Sequence, residues 1–258
     1  VGCDVVFVAG MNGTVALAPD TGGVLWESDA AGYEPTALAR RSGTLYTTTF
    51  GVSALDTRTG EERWHRGDGD TLAVGERGFY TAHNENGDGA LYGYDRDGTE
   101  RFHLTPGKIV GSPTVHDGTV YAVDNGGRVY AVDSETGETL WARFPPDNGK
   151  LFTGVAVREE RLLVPAGHGD TSYALDTETG ETLWAADTAM VLARPVVGPD
   201  WVAFSRINEG ISVYDLATGE HRRSWHREDH EYGTVRGIVP VEEGLLVRHN
   251  GSNLSLLA

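Results

Sequence analysis

Apolar residues along this chain come in short runs, cut at regular intervals by Gly, Asp and Asn. The stretch from Gly111 to Trp141 shows the pattern most plainly. SPTVH is followed by Asp117-Gly118, TVYAV by Asp124-Asn125-Gly126-Gly127, and RVYAV by Asp133-Ser134-Glu135-Thr136-Gly137, before ETLWARF closes the unit. Runs this short, rich in Val and Tyr and bounded by turn formers, predict antiparallel strands joined by tight turns. The strands of one unit are termed A, B, C and D.

The unit recurs along the whole chain. An aromatic closes strand D at Trp26, Trp64, Phe102, Trp141, Trp184 and Trp225, at intervals of 38, 38, 39, 43 and 41 residues. Asp56-Thr59-Gly60, Asp133-Thr136-Gly137 and Asp176-Thr179-Gly180 each precede their Trp, with Gly four residues ahead of it. Thr21-Gly22 precedes Trp26 at the same distance, with Ala18 in place of Asp. Asp95-Gly98 lacks one turn residue, and Asp215-Thr218-Gly219 is followed by Trp225 two residues late. A four-stranded unit repeating at roughly 40 residues predicts a β-propeller. The residue types suit structural roles: carboxylate and hydroxyl bond the turn backbone, Gly takes positive φ, and Trp fills the wedge between blades. Ala54, Ala131 and Ala174, ten residues before a Trp, leave room for the ring.

Taken in order, the units predict an all-β, single-domain propeller of seven blades over residues 1–258. Their approximate bounds are 1–29, 30–67, 68–106, 107–147, 148–188, 189–229 and 230–258. The first blade lacks strand A and the last lacks strand D, which leaves 26 strands. A longer parent chain, truncated at its N-terminus here, is expected to supply both missing strands.

Composition adds a surface. The net charge is −17, with 38 acidic residues, and lysine occurs only at Lys108 and Lys150 among 21 basic residues. Acids dispersed through the turns with scarce lysine suggest a halophile's protein, in which strong salt screens self-repulsion. Such a surface argues against a nucleic-acid partner. No apolar run is long enough to span a membrane, and no signal-peptide pattern is visible. Cys3 is the only cysteine, so no intrachain disulfide and no thiolate cluster forms.

VYAVDSETGETLW and SYALDTETGETLW resemble the PQQ-like β-propeller repeat, and the resemblance covers the chain. It is found in pyrroloquinoline-quinone dehydrogenases, in the lipoprotein of the bacterial outer-membrane assembly machine and in sensor domains of some kinases. WD-type repeats are a poorer match, since their Gly-His and Trp-Asp pairs are missing. The resemblance implies the fold, and it favours a cell-surface or extracellular location. The quinone enzymes commonly carry adjacent cysteines, a Glu/Asn/Asp calcium site and a catalytic Asp in long insertions. This chain has neither a cysteine pair nor a long insertion, so no catalytic residue is carried over. The non-catalytic members, which act as binding scaffolds, are the nearer analogy, with no cofactor expected. A quinone- or calcium-dependent oxidoreductase and a receptor or kinase sensor domain are the alternatives.

Candidate sites sit at the B-to-C turns, on the face where propellers usually bind ligands. An unknown protein partner or small ligand is expected there, around His83, Asn125, His168, Asp170, Asn208, His249 and Asn250. Asn84, Asn86 and Asp88 with Gly89 resemble the start of a calcium loop, although the first position is Asn rather than Asp and a polar hairpin turn is the alternative. His221, His226 and His230 lie close in sequence as zinc candidates, but the first two, five apart on a strand, point to opposite faces.

Overall fold

A computed structural model describes all residues except 1–4, 11, 31–36, 50, 68, 86–87, 147–148, 152, 207–209, 227–234, 242–243, 250–253 and 258. The described chain is all-β, with 26 strands in seven antiparallel sheets. The first sheet is β1 (Val6–Gly10), β2 (Gly13–Leu17) and β3 (Val24–Ser28). The second is β4 (Ala37–Arg41), β5 (Thr44–Thr49), β6 (Gly51–Asp56) and β7 (Glu62–Arg66). The third is β8 (Ala73–Val74), β9 (Gly78–Glu85), β10 (Asp88–Asp95) and β11 (Glu100–Leu104). The fourth is β12 (Thr114–His116), β13 (Thr119–Val123), β14 (Val129–Asp133) and β15 (Thr139–Arg143). The fifth is β16 (Ala156–Arg158), β17 (Arg161–Val164), β18 (Thr171–Asp176) and β19 (Thr182–Asp187). The sixth is β20 (Val196–Val197), β21 (Trp201–Arg206), β22 (Gly210–Asp215) and β23 (His221–His226). The last is β24 (Val235–Val241), β25 (Gly244–His249) and β26 (Leu254–Leu257). In every sheet the strands lie side by side in chain order, so the sheets are the blades of a seven-bladed β-propeller.

The chain packs as two compact units. One comprises residues 1–118 with 133–137, and the other residues 119–132 with 138–258. Their cores lie between successive blades rather than within a sheet. In the first unit, Tyr46, Val52, Ala54 and Leu72 close on Phe79 and Tyr94, joining the second blade to the third. In the second unit, Leu163, Ala174 and Trp184 pack on Val202, Phe204, Tyr214 and Leu216, joining the fifth to the sixth.

The turn between strands C and D explains the repeated Asp, Thr and Gly. Asp176 Oδ1 accepts the N–H groups of Glu178 and Thr179 and the Thr179 hydroxyl, at 3.0, 2.8 and 2.9 Å. Asp133 and Asp215 hold their turns in the same way. The first blade, with Ala18 in this position, keeps the backbone bonds Gly22 N–H to Ala18 O and Ala18 N–H to Gly23 O, each 2.8 Å, and the Gly23 N–H bond to the Thr21 hydroxyl at 3.1 Å.

The closing Trp reaches the next blade. Trp26 Nε1–H donates to Thr57 O at 3.1 Å, Trp141 to Thr177 O at 3.0 Å and Trp184 to Leu216 O at 3.0 Å. Each acceptor is the residue just after the next blade's turn position held by Asp. The ring then covers that turn's Gly: a Cβ added to Gly60, Gly180 or Gly219 would sit 2.5, 2.8 or 2.7 Å from the indole. Phe102 covers Gly137 likewise, without an N–H to donate. On its own sheet each plate faces a small partner: Trp26 pairs with Ala16, Trp64 with Ala54, Phe102 with Gly93, Trp141 with Ala131 and Trp184 with Ala174.

The sixth blade differs from the spacing read in the sequence. Asp215 N–H bonds Glu220 O at 2.8 Å, as Asp176 bonds Glu181, so no residues are inserted in the turn. The position opposite Val213 is therefore Arg223, and Trp225 pairs with Ile211, farther along the strand. Arg223 lies over the Trp225 ring at 4.4 Å.

Candidate functional site

Two kinds of turn crowd each face of a blade. The A-to-B and C-to-D turns share one edge of the sheet, and the B-to-C turns and D-to-A connections share the other. The candidates marked by the B-to-C turns belong to the second edge, whereas a polar cavity opens on the first.

That cavity, about 470 Å³, lies within the first unit, where the A-to-B turns of three successive blades meet. Arg41 enters from the end of β4, Glu76 and Arg77 from the β8–β9 turn, and His116 and Asp117 from the β12–β13 turn. Type I′-like conformations tighten two of these turns: Ser42 and Gly43 have φ of 49° and 78°, and Asp117 and Gly118 have 42° and 76°. Arg41 Nη2 pairs with Glu76 at 3.3 Å, and Arg77 Nη1 with Glu135 of the next C-to-D turn at 2.7 Å. Tyr80 is buried, and its hydroxyl donates to Ser134 O at 2.8 Å. It also accepts Arg101 Nη2 at 3.2 Å, and the Arg101 guanidinium lies 5.6 Å from its ring centre. His116 Nε2 is 3.2 Å from Asp117. Nothing in the repeat signature marks these residues. Their only sequence signal is a position in or beside the Ser-Gly, Glu-Arg and Asp-Gly turns.

On the opposite edge, Asn84 uses both ends of its amide on one residue. Its Oδ1 accepts Ile109 N–H at 2.9 Å and its Nδ2 donates to Ile109 O at 3.0 Å. This ties the β9–β10 hairpin to the following connection, and Gly89 leaves room for the Gly107 and Lys108 backbone. The side chain proposed to begin a calcium loop thus acts as a backbone mimic. His83 Nδ1 stands 3.3 Å from Asp70 Oδ2. Asn125 occupies the β13–β14 turn, where Asp124 accepts Arg128 N–H at 3.0 Å and the Tyr130 hydroxyl at 2.8 Å. Burial, and then the Asp124 carboxylate, push the Tyr130 phenol up to about 12. Arg128 spans Tyr130 and the exposed Phe144, 5.7 and 5.1 Å from their ring centres.

His168 N–H bonds Lys150 O at 2.9 Å, and Asp170 O accepts Thr188 N–H at 2.8 Å. His83 and Asn84 belong to the first unit, and Asn125, His168 and Asp170 to the second. Asn86, Asn208, Asn250 and His230, and the side chains of Asp88 and His249, lie outside the described residues. Of the zinc candidates, His221 bonds Ser224 Oγ through Nε2 at 2.7 Å and meets Tyr214 edge-on. Among the described residues, no three His, Cys, Asp or Glu side chains stand close enough to hold a metal ion.

A family model described as outer membrane protein assembly factor BamB matches residues 11–250. The chain belongs to this BamB-type, PQQ-like repeat family. Crystallised BamB from Moraxella catarrhalis is 16% identical with a TM-score of 0.69, over 97% of this chain and 80% of that one. The computationally designed protein Ika8 is 17% identical with a TM-score of 0.80, over 98% and 80%. A chain of the mitotic checkpoint complex is 14% identical with a TM-score of 0.77, over 97% and 82%. At these identities the likeness is one of fold. No curated protein matches the sequence. Among the described residues, no helix is long and apolar enough to cross a membrane.

Proposed function

We propose that this propeller is a non-catalytic scaffold that binds a protein partner through the turns at its blade edges, on the cell surface of a halophile. The carrying observation is what the repeat residues do. The Asp carboxylates and Thr hydroxyls bond within turns, and the Trp26, Trp141 and Trp184 indoles bond to the next blade. Their role is architecture, and recognition falls to the polar turns between them. The BamB relative is named for assembly, and another structural neighbour comes from a multiprotein complex. These names support the reading without identifying the partner.

Cross-linking and affinity capture in molar salt test the proposal. One protein recovered in stoichiometric amount is the expected result, and recovery of none overturns it. Addition of pyrroloquinoline quinone and Ca²⁺ gives an independent readout. A bound-quinone absorbance band with alcohol oxidation would replace the scaffold by the oxidoreductase alternative.

A further inference from the structure

We propose that the cavity between Arg41, Arg77 and His116 receives the carboxylates of an acidic peptide, which take the place of Glu76 on Arg41 and of Glu135 on Arg77. The inference rests on the scaffold reading and specifies which edge of the blades would bind and what chemistry it would recognise.

In a chain with 38 acidic residues against 21 Lys and Arg, two arginines, Arg41 and Arg77, line this cavity. Arg41 pairs with the Glu76 carboxylate and Arg77 with that of Glu135, while behind the lining Arg96 donates to the Glu76 backbone carbonyl and Arg101 donates to the Tyr80 hydroxyl and pairs with Asp95. Glu76 and Asp117 lie outermost, each 90% exposed, against 37% for Arg41 and 31% for His116, whereas Arg77 and Glu135 are alike at 56% and 59%. Arg41 and His116 therefore line the recess while Glu76 and Asp117 stand in water.

The resident glutamates can be exchanged. Among the described residues, Arg41 pairs with its carboxylate through Nη2 alone and Arg77 through Nη1 alone. Exposed pairs of this kind are weak. An incoming carboxylate keeps each guanidinium neutralised, and the displaced glutamate returns to solvent. Arginine's planar fork can also donate to both ligand oxygens at once, which a single-point contact does not use.

The size of the cavity fits a peptide. A cavity of about 470 Å³ suits a few side chains of an extended segment rather than a folded surface. A basic segment would meet the same arginines and be repelled at the floor.

Fluorescence anisotropy on the full chain tests this. The probes are fluorescein-labelled decapeptides of alternating Glu and Gly, with Gln and Lys analogues, in about 0.5 M NaCl to suppress long-range repulsion. The Glu peptide is expected to bind at least about tenfold more tightly than the Gln peptide. R41Q/R77Q should lose about tenfold or more of that affinity, while R158Q, at the fifth blade's A-to-B turn, should stay within about twofold. Thermal unfolding checks that the variants are folded. E76Q/E135Q is the second arm: without the resident carboxylates, the Glu peptide should bind several-fold more tightly. No binding of the Glu peptide, equal binding by R41Q/R77Q, preference for the Lys peptide, or no gain in E76Q/E135Q overturns the proposal. A partner captured equally by wild type and R41Q/R77Q would leave the scaffold reading standing and remove this site.

Discussion

The Trp184 indole donates its Nε1–H to Leu216 O, 3.0 Å away in the next blade, and its ring covers Gly219. One side chain thus satisfies a turn carbonyl and fills the space that a Cβ would need. The same arrangement links Trp26 to Gly60 and Trp141 to Gly180. It explains why a turn glycine and a strand aromatic recur together although they meet across blades.

Gly219→Ala should therefore destabilise for two reasons. Its φ is +74°, and the added methyl would lie 2.7 Å from the indole. Gly22 has φ of +67° but open space around it, so Gly22→Ala carries the backbone strain alone. The difference between the two variants should be about 1–3 kcal/mol, the usual cost of overpacking. Paired denaturant titrations measure it, and equal losses would show that the indole contact does not constrain the glycine.

Trp184→Phe keeps much of the buried ring but leaves Leu216 O without its donor. A loss of about 1–3 kcal/mol is expected. Trp184→Ala, which also opens a cavity between the fifth and sixth blades, should cost about 3–5 kcal/mol. Chemical denaturation distinguishes them.

Asn84→Ala removes both hydrogen bonds to Ile109, whose side chain is buried at 2% exposure. A stability loss of about 1–3 kcal/mol is expected, because the Ile109 amide and carbonyl lose their partners. Calorimetry with and without Ca²⁺ checks the role. A Ca²⁺-dependent rise in Tm that Asn84→Ala abolishes would support the calcium-loop reading.

Asp215 sits at about 2, held down first by the hydrogen bond from Arg222 and then by the Thr218 amide. Asp56, Asp133 and Asp176 are also lowered from 3.8, Asp56 chiefly by Arg63 and the other two by turn N–H groups. A folded value below the unfolded one means the stabilisation is present above the unfolded value and lost as pH falls toward 2. The protein should lose stability progressively through this window. Arg222→Gln should raise the Asp215 midpoint, read by carboxyl NMR titration.

With a net charge of −17, raising NaCl from about 0.1 M to 1 M should raise Tm, as the Debye length shortens from about 10 to 3 Å. Differential scanning calorimetry checks this, and a salt-independent Tm would count against the halophile proposal.

Much of the fold was legible because turn chemistry is local. Asp133, Thr136 and Gly137 bond one another within a single turn, so their spacing alone announces a hairpin, and its recurrence announces blades. The sixth blade misled because aromatic spacing counts residues, whereas register follows hydrogen bonds. The Asp215–Glu220 bond leaves no room for an insertion, and Arg223 takes the place opposite Val213.

The sequence by itself determined the strands, their order and the repeat, since each rests on contacts between near neighbours in the chain. Only the tertiary structure decided which turns meet. Arg41, Arg77 and His116 come from three blades and share no motif, and blade packing brings their separate turns around one cavity. Recognition chemistry of this kind depends on distances through space, which a pattern of neighbours along the chain does not encode.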